Sequence, residues 1–199
     1  MDRRCFIGGM GSLVAVGPLG ACANTPPPAV FPELTWGYLP PIKLRVDDVQ
    51  VFNSYQAPGI APFVDHAFPT PPARAAFRWA SDRLQAGTSN SGNIARATVL
   101  DGRVEEIRLE TQGGIVGALK KEQSERYDGI LSMRVEIFTA AGGSETVEVT
   151  VQRSQTVSEG LSVTERRQIW FEYTEAMMVE FNTRMEEEIR RRMRGYLMV

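Results

Sequence analysis

Few side chains in this sequence could carry out catalysis or bind a metal. There is one histidine, His66, and there are two cysteines, Cys5 and Cys22. A Ser–His–Asp or Cys–His site needs a histidine that a third group orients, and His66 lies in a proline-containing loop without such a pattern. A metal site would need carboxylates such as Asp65 beside it, and no ligand spacing supports one. The sequence therefore predicts no catalytic residues, no metal and no cofactor.

Two further kinds of enzyme site find little support. Gly113-Gly114 is followed by neither a P-loop lysine nor a dinucleotide-binding pattern. Hydrolysis by a carboxylate pair needs two acids about 5–10 Å apart in space, and no motif points to such a pair. A carboxylate-based periplasmic hydrolase therefore stays the least favoured alternative, and we expect a protein that is not an enzyme.

The first 21 residues have the organisation of a signal peptide. A charged start that contains Arg3 and Arg4 precedes an apolar run from Phe6 to Ala21. This run is too short for the roughly 20 residues that a helix needs to span a bilayer. The run ends in Leu19-Gly20-Ala21-Cys22, which resembles the bacterial lipobox. The resemblance implies cleavage before Cys22, with Leu19, Gly20 and Ala21 forming the signal peptidase site.

The lipobox resemblance makes Cys22 an anchor. Its thiol would carry diacylglycerol and its amine a further acyl chain such as palmitate, and two or three chains hold a protein on a membrane stably. In the enterobacterial sorting rule, an aspartate directly after the lipidated cysteine retains a lipoprotein at the inner membrane. By this resemblance, Ala23 at that position favours the outer membrane. We therefore expect a lipid-anchored protein that faces the periplasm of a Gram-negative bacterium.

The export route stays open between two alternatives. The stretch Arg3-Arg4-Cys5-Phe6-Ile7 resembles a twin-arginine signal, although Asp2 stands where Ser or Thr is usual. An ordinary Sec signal with two arginines in its basic region fits equally well. The formal net charge of the chain is −2, so there is no basic excess for binding nucleic acid by charge.

The chain after Cys22 divides into a tether and one domain. Residues 22–41 are rich in proline and predict a semi-rigid tether whose end, Trp36 to Leu39, docks on the domain. Residues 42–199 predict a single α+β domain. In its first half we expect a strand at Ile42–Phe52, with a bulge near Asp47, and a helix that Thr70 caps and that ends before Gly87.

The second half of the domain has clearer patterns. The elements predicted here are a long strand over 94–109 with a bend at Gly102, strands over 127–139 and 144–157, and a helix from the Ser162–Glu165 capping box to about Leu197. The fold class is therefore α+β, with a four-stranded, mostly antiparallel sheet, two helices on one face and the order β-α-β-β-β-α. The far end of the last helix is expected to extend beyond the sheet. The arginine-rich end of this helix predicts either a solvated, self-paired surface or a basic tip that contacts lipid phosphates or a partner.

Four residues are candidates for contact with a partner or a lipid. Trp79 lies off the apolar stripe of its helix, so it either packs under a loop or faces a partner. The segment 113–119 is too apolar for a solvated loop, and Ile115, Val116 and Leu119 form either a satellite core or an apolar finger. Lys120 and Lys121 beside it would suit an acidic headgroup.

The order of elements from Ile42 to Leu197 resembles that of two groups of envelope lipoproteins. One is the lipopolysaccharide-assembly lipoprotein that plugs an outer-membrane β-barrel, and the other is the auxiliary lipoprotein of ABC-type lipid transport systems. The resemblance implies a non-catalytic lipoprotein that binds a partner protein, such as a transport or β-barrel protein, or a lipid. A structural lipoprotein without lipid cargo is the alternative.

Overall fold

The strands and helices follow the alternation and the helical spacing of the apolar residues. The computed structural model describes residues 30–87, 90–109, 123–158 and 160–198. Its fold is α+β, as the sequence predicted. Its elements are β1 (Ile42–Leu44), β2 (Asp48–Asn53), α1 (Pro72–Arg83), β3 (Leu84–Ala86), β4 (Ile94–Asp101), β5 (Val104–Arg108), β6 (Gln123–Phe138), β7 (Ser144–Ser158) and α2 (Val163–Arg192). The described residues also include two short 3₁₀ turns, Asp65–Ala67 and Arg194–Tyr196.

The main sheet is built around β6. Strand β7 pairs with one edge of β6, and β4 and β5 follow one another along the other edge, all antiparallel. Strand β2 lies outside β4 and is parallel to it. The predicted strand 94–109 is thus one path with an irregularity between Val99 and Asp101 and a break at Gly102. Within the described ranges this sheet contains five strands, with β4 and β5 sharing one position beside β6, whereas we expected four strands.

The segment predicted as the first strand forms two strands, because a loop is hydrogen-bonded to Asp47 between them. The carboxylate of Asp47 accepts hydrogen bonds from the backbone N–H groups of Ser91 (2.7 Å) and Gly92 (2.9 Å). The Ser91 hydroxyl also donates to this carboxylate at 2.7 Å, and this bond, together with the two backbone bonds, holds the pKa of Asp47 below its usual range. The chain turns there, so β1 leaves the main sheet and pairs with β3 in a separate parallel sheet.

Helix α1 is shorter than the sequence predicted. It begins after Pro71, with Pro72 in its first turn, and Thr70 does not cap it. It ends at Arg83, and Leu84 continues into β3 because its backbone adopts an extended conformation. Helix α2 begins as predicted, since Ser162 and Glu165 form both hydrogen bonds of a capping box. It ends at Arg192 rather than near Leu197.

Both helices cover one face of the sheet and share one apolar core. The inward side chains of the strands include Val99, Met133 and Val149, which are neighbours across β4, β6 and β7. The predicted stripe of α2 is buried from Trp170 to Ile189. We expected the far end of this helix to project beyond the sheet. Instead, Met193 is fully buried, so there is no apolar overhang there.

Candidate functional site

Most of the predicted site residues lie outside the described part of the chain. These are the twin arginines Arg3 and Arg4, the lipobox residues Leu19, Gly20, Ala21 and Cys22, and the apolar residues Ile115, Val116 and Leu119. Their assignments stay predictions. Of the predicted contact residues, the structure describes only Trp79.

Trp79 is not a surface contact, which corrects our expectation. Its side chain is fully buried between α1 and α2. The indole N–H donates a 2.8 Å hydrogen bond to Oδ1 of Asn182, and the ring packs edge-on against Phe181 with centroids 5.2 Å apart. Helix α1 buries a second stripe at four-residue spacing, Ala75, Trp79 and Arg83. Trp79 and Arg83 of this stripe contact α2, and the stripe lies beside the apolar face that the helical spacing of α1 predicts.

The second half of the predicted tether packs on the domain, and we call residues 30–41 the strap. Its Phe31 ring lies against Phe171 of α2, with centroids 5.4 Å apart, and the Arg167 guanidinium lies over the Phe31 ring at 5.3 Å from its centre. Further along, Trp36 is buried and its backbone N–H donates to the Asp82 carboxylate at 2.9 Å. The strap therefore begins near the start of α2 and is held by both helices.

Two open clefts flank the strap. One, of about 320 Å³, lies between the strap and α1 and is lined in part by Arg74 and Phe77. The other, of about 300 Å³, lies over α2 and includes Tyr38 and Val179. Tyr38 is 77% exposed and Val179 is 64% exposed, so Tyr38 does not dock as we expected of the end of the tether. Apolar side chains thus remain accessible on both sides of the strap.

Glu125, Tyr127 and Glu186 have shifted pKa values and are held in ion pairs or in the core. Hydrogen bonds from Arg166 hold the pKa of Glu125 below its usual range, and burial opposes this effect. Burial, with the Glu125 hydrogen bond, raises the pKa of Tyr127. For Glu186, burial raises the pKa, but hydrogen bonds from Arg190 and Arg83 outweigh it and the pKa is lowered. These shifts move each group away from neutral pH, which is the opposite of what a general acid or base needs.

The described residues contain neither a metal-ligand cluster nor a membrane span. Within 30–87, 90–109, 123–158 and 160–198, no three side chains of the His, Cys, Asp or Glu type are grouped to hold an ion. His66 is exposed in the 3₁₀ turn after Val64. In the same described ranges, no helix is both long enough and apolar enough to cross a bilayer.

Comparison with protein families and with curated proteins found no match. Solved structures with a partial likeness include the rare lipoprotein B from Shewanella oneidensis, at a TM-score of 0.29 and 8% identity, over 71% of this chain and 98% of that chain. Another is a variant of PelC, solved as a dodecamer, from Paraburkholderia phytofirmans, at a TM-score of 0.22 and 12% identity, over 70% of this chain and 88% of that chain. Likenesses of this size carry no functional argument.

Proposed function

We propose that this chain is a lipid-anchored envelope protein, facing the periplasm and without catalytic activity, that binds a partner protein or a lipid in outer-membrane transport or assembly. The anchor would be acylated Cys22, in the lipobox context described above. The observation that carries the proposal is the strap, because it links the predicted anchor directly to the folded domain.

The segment from Cys22 to Val30, which joins the predicted anchor to the strap, is short, and we call it the leash. Eight peptide steps separate Cys22 from Val30, the first described residue. Because a fully extended chain spans at most about 3.6 Å per residue, this leash reaches no further than about 29 Å. Phe31 then lies against α2. A domain held in this way works at the membrane surface, and a partner would have to be in or near that membrane.

The surface around the strap contains exposed apolar side chains that a partner at the membrane could contact. The two clefts beside the strap have exposed apolar side chains, among them Phe77, Tyr38 and Val179, next to the charged Arg74. Apolar side chains with a polar rim are typical of binding surfaces.

The anchor is tested by replacing each cysteine in turn. We expect Cys22→Ala to abolish labelling with radioactive palmitate and to release the protein from the membrane fraction, because the thiol that accepts the lipid is gone. Cys5→Ala is the matched control, since Cys5 would be removed with the signal peptide. The proposal fails if the Cys22 variant keeps its label and its membrane association, or if the Cys5 variant loses both.

The binding role is tested by site-directed photo-crosslinking of the acylated protein in cells. A photoreactive residue at Tyr38 or Phe77, beside the strap, is expected to capture an envelope protein or a lipid, and mass spectrometry identifies it. The same residue at Thr146, exposed on the opposite face of the sheet, is the control. Capture that is absent at all three positions, or equal at all three, contradicts a partner surface at the strap.

A further inference from the structure

A basic cleft of about 460 Å³ lies at the opposite end of α2 from the start of the strap. Its lining includes four cationic side chains, those of Lys43, Arg45, Arg190 and Arg194. The uncharged residues that line it are Pro41, Ile42, Leu197 and Met198. We call this the basic cleft.

Local structure explains why these cations converge. In and after β1, Ile42 and Leu44 point into the core, so Lys43 and Arg45 point outwards. Arg190 lies in the last turn of α2, and Arg194 begins the 3₁₀ turn that follows the helix. Neither pattern alone makes a site, because both are ordinary for a solvated surface.

The C-terminal segment brings the two patterns together. The backbone N–H of Arg45 donates to the carbonyl of Tyr196 at 2.7 Å, and the N–H of Met198 donates to the carbonyl of Lys43 at 3.0 Å. Leu197 also forms an isolated bridge with Leu44. These bonds fix the chain after α2 against β1, so the cations from the strand and from the helix end face one cleft.

Positive charge in the basic cleft exceeds the negative charge around it. Arg190 pairs with Glu186 at 2.7 Å, but no carboxylate of the described residues lies within 4.0 Å of Lys43, Arg45 or Arg194. The partial negative charge at the end of a helix, about half a unit, balances less than one of these three charges.

We propose that the basic cleft binds a phosphate group, with the guanidinium and ammonium groups around its oxygens. Arg forms paired hydrogen bonds with phosphate, and Lys adds a point charge. Ile42, Leu197 and Met198 would contact the carbon chain beside the phosphate, so the ligand is an amphiphilic phosphate ester. Such a phosphate is supplied either by a lipid headgroup or by a soluble phosphorylated compound. The lipid source rests on the proposed membrane anchor, whereas the site itself does not.

The dimensions allow the lipid source. Phe171 contacts the start of the strap through Phe31. Phe171 and Arg190 are 19 residues apart in α2, which is about 29 Å of helix. The leash from Cys22 to Val30 has a similar maximum length, so it is long enough for the basic cleft to reach the headgroups of the same leaflet even when that end of α2 points toward the membrane.

The test uses the full chain with Cys22→Ser, so that binding is measured without acylation and a failed anchor does not affect the result. Three arms are compared: vesicles of phosphatidylcholine with phosphatidylglycerol, vesicles of phosphatidylcholine alone, and inorganic phosphate by calorimetry. Binding to the anionic vesicles supports the lipid source. Binding to phosphate with no preference for anionic vesicles supports the soluble source.

Charge variants decide whether the basic cleft is responsible. We expect R45Q/R194Q to weaken binding about tenfold or more, because two charge-assisted contacts are lost. The matched control, R134Q/R184Q, removes two exposed arginines elsewhere and is expected to stay within about twofold of the parent. A thermal melt checks folding, and K43Q provides a second cleft variant. The proposal is overturned if the parent binds in no arm, or if the cleft and control variants weaken binding equally.

Discussion

Replacing Trp79 tests whether this residue belongs to the core or to a binding surface. Its ring is fully buried and packs on Phe181, and its N–H is hydrogen-bonded to Asn182. Truncation of a buried Trp to Ala usually costs about 3–5 kcal/mol, because the transfer free energy is lost and a cavity remains. For a protein of this size, 1 kcal/mol corresponds to about 2–4 °C in Tm. We therefore expect Trp79→Ala to lower Tm by about 6–20 °C.

A second substitution separates the hydrogen bond from the packing. Trp79→Phe retains an aromatic ring near Phe181 but removes the indole N–H, which leaves Oδ1 of Asn182 without its donor. The cost of such a loss is about 1–3 kcal/mol. Phe77→Ala, two residues earlier on the same helix, is the control because its ring is 38% exposed. We expect this control to cost at most about 1 kcal/mol.

The assay is unfolding by heat and by urea, followed by circular dichroism, of the full chain with Cys22→Ser. The expected order of destabilisation is Trp79→Ala, then Trp79→Phe, then Phe77→Ala. A Trp79→Ala variant that melts within about 2 °C of its parent would refute the assignment of Trp79 to the core. It would revive the interpretation of this residue as a partner contact.

Three further variants probe other parts of the fold. Gly102→Ala would place its Cβ 2.5 Å from the Cβ and 2.8 Å from the backbone N of Ala73, so we expect a loss of about 1–3 kcal/mol in urea unfolding; no loss would contradict this close approach. Ser162→Ala removes half of the capping box and should cost about 1 kcal/mol, whereas Ser162→Asp should retain most of the stability. Arg166→Gln should lower Tm at pH 7, because Arg166 holds the pKa of Glu125 down. The contribution of that carboxylate is complete above its unfolded pKa of about 4.3 and is lost as pH falls through the lower folded pKa. The Tm difference between the parent and Arg166→Gln should therefore shrink at about pH 3, and a constant difference would contradict the linkage.

Local patterns were sufficient to predict much of the fold. Strict alternation in 127–139 and 144–157 predicted the antiparallel pair β6 and β7, and the register of these strands agrees with it. The Ser162–Glu165 box predicted the start of α2. These features depend on residues that are close in sequence, so the sequence alone specifies them.

Features that depend on distant residues were missed. The division of 42–52 into β1 and β2 depends on hydrogen bonds from the loop before β4 to Asp47. The burial of Trp79 depends on α2 covering a second side of α1, which no single-helix pattern shows. The basic cleft is a similar case, because Arg45 and Arg194 meet only after the C-terminal segment crosses β1.

The lipidated N-terminus is the central claim, and mass spectrometry of the protein purified from membranes tests it most directly. The account predicts that the mature chain begins at Cys22 and that the N-terminal peptide carries a diacylglycerol thioether, with or without an acylated amine. A mature chain that begins at another residue, or one in which Cys22 is a free thiol, would contradict it.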